Sequence, residues 1–172
     1  TIKSIEGKYF QENSKYTFNK NVEINNPEYD IESNKLDYYT KSEHAYFFGP
    51  TTIKGSDYDI YCEKGFYDTK KKSGFFTRNS KINYNNRIIE GDSLNFDDSK
   101  EFASATKNIV LTDTLNKTII KGNYAEVFKA IDSAMITKKS IAIKMVEKDS
   151  LFIKADTLFA IGPAENRIIK GR

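Results

Sequence analysis

The chain has 172 residues, enough for one domain with a core, and 38% of them are hydrophobic. Charged residues make up 30%, yet the net charge is only +3. That balance excludes the clustered basic surface expected of a nucleic-acid-binding protein. The apolar set is rich in aromatic and β-branched residues, with 12 Phe, 11 Tyr, no Trp and three Pro. Such residues suit a pleated, half-buried surface and lean towards β structure. No apolar run reaches membrane-spanning length.

In chain order, a short phrase recurs: an apolar residue, any residue, then a small one. It stands at Ile5-Glu6-Gly7, Ile31-Glu32-Ser33, Ile60-Tyr61-Cys62, Ile89-Glu90-Gly91, Ile120-Lys121-Gly122 and Ile153-Lys154-Ala155. The small residues are 26, 29, 29, 31 and 33 positions apart. A second frame keeps step with the first: Tyr16-x-Phe18, Ala45-x-Phe47, Gly74-x-Phe76, Ala103-x-Ala105 and Ala134-x-Ile136. Each is followed by an apolar residue, namely Ile24, Ile53, Ile82, Leu111 or Ile143.

Within each repeat the apolar period is two, as in Leu94-x-Phe96 and Ala103-x-Ala105, so each unit reads as strands with one buried face. Turn-forming clusters such as "INNPEYD", "YDTKKKSG", "DDSKE" and "TDTLNK" separate the units. The pattern predicts on the order of 15 short strands. "NYAEVFKAIDSAM" is the one helix-compatible stretch, and the repeat register reads it as two strands. A small residue in each anchor suits a strand that bends or meets another backbone closely. A single such unit cannot bury its apolar face, whereas stacked copies can. The expected fold is therefore all-β: an elongated, repeat-built, β-solenoid-like double sheet. It is read as a single domain over 1–172, cut from a longer array.

The chemistry on offer is sparse. His44 is the only histidine and sits on the polar face of its predicted strand. A histidine-dependent catalytic constellation would have to use it. Cys62 is the only cysteine, which rules out an internal disulfide and a thiolate zinc cluster; it reads as a small core residue. Asp97, Asp98 and Asp113 fall in predicted turns, where Asp bonds its own backbone. Lys70–Lys72 reads as a solvated hairpin tip. No phosphate-loop pattern is present. The expectation is no enzyme activity, no cofactor and no metal.

One apolar stripe runs through successive repeats by shared parity: Phe18, Phe47, Ile53, Phe76, Ile82, Leu94, Phe96, Ala105, Leu111 and Ile136. It suits either a plain core or an apolar trough, open along one side, that takes acyl chains.

"NRIIEGDSLNFDDSKEFASATKNIVLTDTLNKTIIKGNYAEVF", together with "KDSLFIKADTLFA", resembles the OstA-like (LptA-type) periplasmic lipopolysaccharide-transport family, in the flavour of its Bacteroidetes branch. The resemblance covers the chain and is strongest from Ile89 to Ala160. It implies a curved antiparallel β-jellyroll whose two sheets form a V. It also implies a non-enzymatic periplasmic protein that binds the acyl chains of lipid A. Its implied partners are lipopolysaccharide, other transport proteins joined through edge strands, and further copies stacked head to tail. The aromatic content of the first three repeats points to a trough filled there. The competing reading is a structural or carbohydrate-interacting β-solenoid of a cell-surface protein.

Overall fold

The structure is a computed structural model that describes residues 1–84, 86–147 and 149–172. Thirteen strands form one antiparallel sheet. They are β1 (Ile2–Lys3), β2 (Glu6–Phe10), β3 (Lys15–Asn25), β4 (Asp30–Tyr39), β5 (His44–Lys54), β6 (Tyr58–Asp68) and β7 (Ser73–Tyr84). The chain continues with β8 (Arg87–Asp97), β9 (Phe102–Asp113), β10 (Thr118–Phe128), β11 (Ser133–Val146), β12 (Asp149–Ile161) and β13 (Ile168–Gly171). From β3 onwards each strand pairs with the next, a plain up-and-down meander. "NYAEVFKAIDSAM" is indeed divided between β10 and β11, joined by a 3-10 turn at Lys129–Ile131.

The strands are fewer and longer than the turn spacing predicts, because each crosses a bend without ending. The register shifts midway along every pair from β3·β4 to β11·β12, for example between Asn19 and Val22, Thr77 and Ser80, and Thr137 and Ser140. At these points the odd strands carry residues with positive φ: Lys20 and Asn21, Gly49, Arg78 and Asn79, Lys107 and Asn108, Lys138 and Lys139. A pair of left-handed residues turns an extended chain sharply. The small residues of the repeat face these bends: Cys62 pairs with Thr51, Gly91 with Ser80, and Ala155 with Ser140. The first anchor is the exception. Gly7 lies past the bend, opposite Phe18.

The bends divide the sheet into two arms. Arm I holds the halves next to the tips near 11–13, 40–43, 69–72, 98–100, 129–131 and 164–166. Arm II holds the halves next to the turns near 26–29, 55–57, 114–117 and their equivalents. Buried apolar residues come from one face of both arms, so the sheet folds over on its own apolar side. Across the fold Tyr58 packs on Phe96, with ring centres 4.8 Å apart. Cys62 is fully buried at a bend, and burial pushes its thiol up to about 12. His44 lies partly exposed on the outer face, beside Phe66.

Candidate functional site

The inner face carries two continuous rows. In arm I, cross-strand pairing runs from Phe18 through Leu36, Phe47, Gly65, Phe76, Leu94, Ala105, Ala125 and Ile136 to Leu158. In arm II it runs from Ile24 through Ile31, Ile53, Ile60, Ile82, Ile89, Leu111, Ile120 and Ala142 to Ile153. Burying each large aliphatic side chain in such a row contributes about 1.5–3 kcal/mol.

The structure places all ten stripe residues on this inner face. Nine of them (Phe47, Ile53, Phe76, Ile82, Leu94, Phe96, Ala105, Leu111 and Ile136) are buried, and Phe18 is partly buried against them. Ile143 is different. Its partners are Ile119 and Phe152, which puts it on the outer face, and Ala142 takes the inner position. The step from Ile136 to Ala142 is six residues, the same as from Ala105 to Leu111, and Ile143 lies one residue further on, which reverses the face.

Side-chain size falls along the interior. Phe47, Tyr67, Phe76 and Phe96 fill the N-terminal half, and Ala103, Ala105, Ala125, Ala134, Ala142 and Ala160 line the C-terminal half. A void at Leu111, Ile120, Ala160 and Ile169 has a volume of about 10 Å³, room for no more than one water. The arms pack directly on one another.

The mouth of the V is closed by contacts between the tips of arm I and the turns of arm II. Lys72 pairs with Glu28 at 2.9 Å. Lys129 pairs with Asp57 at 3.1 Å and Asp98 at 3.6 Å, and lies over the rings of Tyr58 and Tyr84. Arg87 Nη2 donates to the Asp132 carbonyl at 3.0 Å and to its carboxylate at 2.9 Å. Arg167 pairs with Asp113 and reaches Asp132 at 3.4 Å. Asn116 Nδ2 donates to the carbonyl of Ala164 at 2.8 Å. The tips are offset along the sheet axis, as sheet twist requires. Inner-facing Tyr9 and Tyr16 are therefore exposed at one end, and Leu151 at the other.

The interior's aromatic hydroxyls stay neutral: burial pushes Tyr58 up to about 12 and raises Tyr67 as well. Burial also pushes the Asp113 carboxyl up. The Asn116 backbone N–H, Arg167 and the Asn116 amide outweigh it and hold Asp113 below the usual carboxylate range. The sequence marked Asp113 only as a turn residue. Its partner Arg167, and the Arg87–Asp132 pair beside it, gave no local signal, because each contact joins residues 45 or 54 positions apart.

Among the described residues, no three His, Cys, Asp or Glu side chains are grouped to hold a metal ion. No helix among them is long and apolar enough to cross a membrane.

No family model matches the chain, and no curated protein matches it in sequence. In structure it is similar to LptH from Pseudomonas aeruginosa, the LptA-homologous periplasmic component of the lipopolysaccharide transport device. The TM-score is 0.57 at 11% identity, over 62% of this chain and 80% of LptH. Identity this low establishes the fold alone, and that fold is the all-β, open, folded-over antiparallel jellyroll described above.

Proposed function

We propose that the chain is a non-enzymatic lipopolysaccharide carrier. In this reading it holds the acyl chains of lipid A between its arms and forms one segment of a bridge across the periplasm. The observation that carries the reading is the pair of unbroken apolar rows facing each other along the whole inner face, in a fold shared with LptH. Each buried methylene contributes about 0.8 kcal/mol, so a chain of a dozen carbons gains on the order of 10 kcal/mol to set against parting the arms. The alanine-lined half is where the arms part most readily, because the least side-chain contact is lost there. Phe18, Phe47, Ile53, Phe76, Ile82, Leu94, Phe96, Ala105, Leu111 and Ile136 are the proposed lining. Other transport proteins, and further copies head to tail, join through the edge strands.

Titration with lipopolysaccharide or a fluorescent fatty acid tests this, and binding should saturate. Ala105→Glu and Leu111→Glu should weaken it strongly, and Lys107→Glu, at an exposed bend, should not. Ala134→Leu fills the interior without adding charge and should also weaken binding while the fold persists. Equal loss at Lys107 and Leu111 in folded variants would remove the inner rows as the binding surface.

A second reading rests on the outer face of arm I. Tyr46, Phe66 and Phe75 are neighbours in one outward row, with Tyr46 and Phe75 exposed. Aromatic rings on an open sheet suit sugar rings, as in a carbohydrate-interacting surface protein. Binding of a deacylated polysaccharide that is lost in Phe75→Ala, without any acyl binding, would favour it.

A further inference from the structure

Arg87 is 2% exposed, yet among the described residues its Nε and Nη1 meet no acceptor. Only Nη2 is engaged, by Asp132. Its neighbour Arg167, 5% exposed, is committed to Asp113 and reaches Asp132 only at 3.4 Å. Two guanidinium groups thus share Asp132, whose side chain is 39% exposed. A cavity of about 450 Å³ opens beside them, walled also by Tyr84, Asn86 and Glu165. Glu165 is exposed on its turn and makes no ion pair with either arginine among the described residues. Burial, and then the charge of Arg167, pull the Arg87 guanidinium below its usual range, so an acceptor at its free Nε and Nη1 would offset part of the cost of burying it.

We propose that Arg87 and Arg167 form a phosphate-binding subsite at the mouth, where a phosphate monoester takes the place of the Asp132 carboxylate. A carboxylate offers two oxygens and meets the two arginines unequally, at 2.9 Å and 3.4 Å. A tetrahedral phosphate offers three oxygens and about twice the charge, which suits two forked donors. Arg87 and Asp113 stand on the inner-face rows of β8 and β9, two residues from Ile89 and Leu111. An acyl chain carried by the bound phosphate would therefore run directly onto the apolar rows. The proposal rests on the lipid-carrier reading only for the source of the phosphate.

The test titrates decyl phosphate, decanol and inorganic phosphate into the whole chain, followed by calorimetry. Decyl phosphate should bind more tightly than decanol. Arg87→Gln should weaken decyl phosphate about tenfold, the loss of one charge-assisted pair, and leave decanol unchanged. Asp132→Asn keeps the side chain's shape and suits the left-handed backbone there (φ 45°), removes the competing carboxylate and should strengthen decyl phosphate several-fold. A latch with no ligand role predicts no gain in that variant, and no gain overturns the proposal. It is overturned equally if a folded Arg87→Gln weakens decanol and decyl phosphate alike. Inorganic phosphate separates the sources. Much weaker binding than decyl phosphate assigns the subsite to an amphiphile, and equal binding, still dependent on Arg87, assigns it to the free ion. If decanol fails to bind anywhere, the carrier reading falls while the inorganic phosphate titration still decides the subsite.

Discussion

Gly91 and Gly122 stand at equivalent bends in β8 and β10, yet a side chain at each would meet different obstacles. A Cβ at Gly122 would lie 2.5 Å from Ile136 Cγ2 and 2.9 Å from the carbonyl oxygen of Thr137. The carbonyl belongs to a paired strand and cannot retreat. At Gly91 the nearest atom is Ile109 Cδ1 at 2.9 Å, the far end of a side chain that can rotate. Gly122→Ala should therefore cost about 1–3 kcal/mol, in the range of an overpacked core, and Gly91→Ala clearly less. Urea unfolding of the two variants measures the difference. Asp113 supplies a second residue-scale prediction. Its folded pKa lies below the unfolded value, so its contribution to stability is fully present above the unfolded carboxylate pKa of about 4. The contribution is lost as pH falls from there through the lower folded value. Asp113→Asn should lower stability at pH 7 and flatten the acid limb of stability against pH. An unchanged acid limb in the variant would mean that the Arg167 pair does not stabilise the fold.

At the scale of elements, the bends set the architecture, and their chemistry is unusual for strands. Asn79 and Asn108 hold φ of 52° between extended segments, and Asn tolerates this region far better than a β-branched residue. Asn108→Val should cost roughly 1–2 kcal/mol. Asn108→Gly loses the same side-chain bond to Asp92 but none of the backbone freedom, and should cost much less. Similar losses in both variants would place the energy in the Asp92 contact instead of the bend. The repeat was legible in the sequence because strand parity and the small anchors recur almost in step, and these give the rows and the inner face. The bend motif was harder to read. Its Asn recurs at 21, 79 and 108, but Gly49-Pro50 and Lys138-Lys139 take the same place with different residues. Ile143 was misplaced for a different reason: the six-residue step across the bend leads from Ile136 to Ala142, and the larger Ile141 and Ile143 that flank this small residue stand on the outer face. The mouth was not legible at all. Lys129, Arg87 and Arg167 look like any surface cation until the fold-over brings distant tips together.

At the scale of the molecule, the sheet does not close, and each end presents strands paired on one side only. At one end, β1 and β2 pair with β3 alone. At the other, β13 covers Leu158–Ile161 of β12, and the stretch from Asp149 to Ala155 pairs only with β11 among the described residues. Exposed Leu151 and Phe152 flank that free ladder. A row of unpaired N–H and C=O groups beside exposed apolar side chains invites another strand. Two different edges joined head to tail make a heterologous contact, which need not close and extends into filaments. The expected outcome is linear association that grows with concentration, seen as a rising mean mass in light scattering. Phe152→Lys places a charge on the free edge, away from the inner rows, and should shift association to higher concentration without changing the melting temperature. Ser150→Pro, which takes away the backbone N–H that now donates to Asp149 Oδ1 and puts a proline on the free edge, should act in the same direction. A mass that stays monomeric across the whole concentration range, or association untouched by both changes, would show that these edges do not pair with each other.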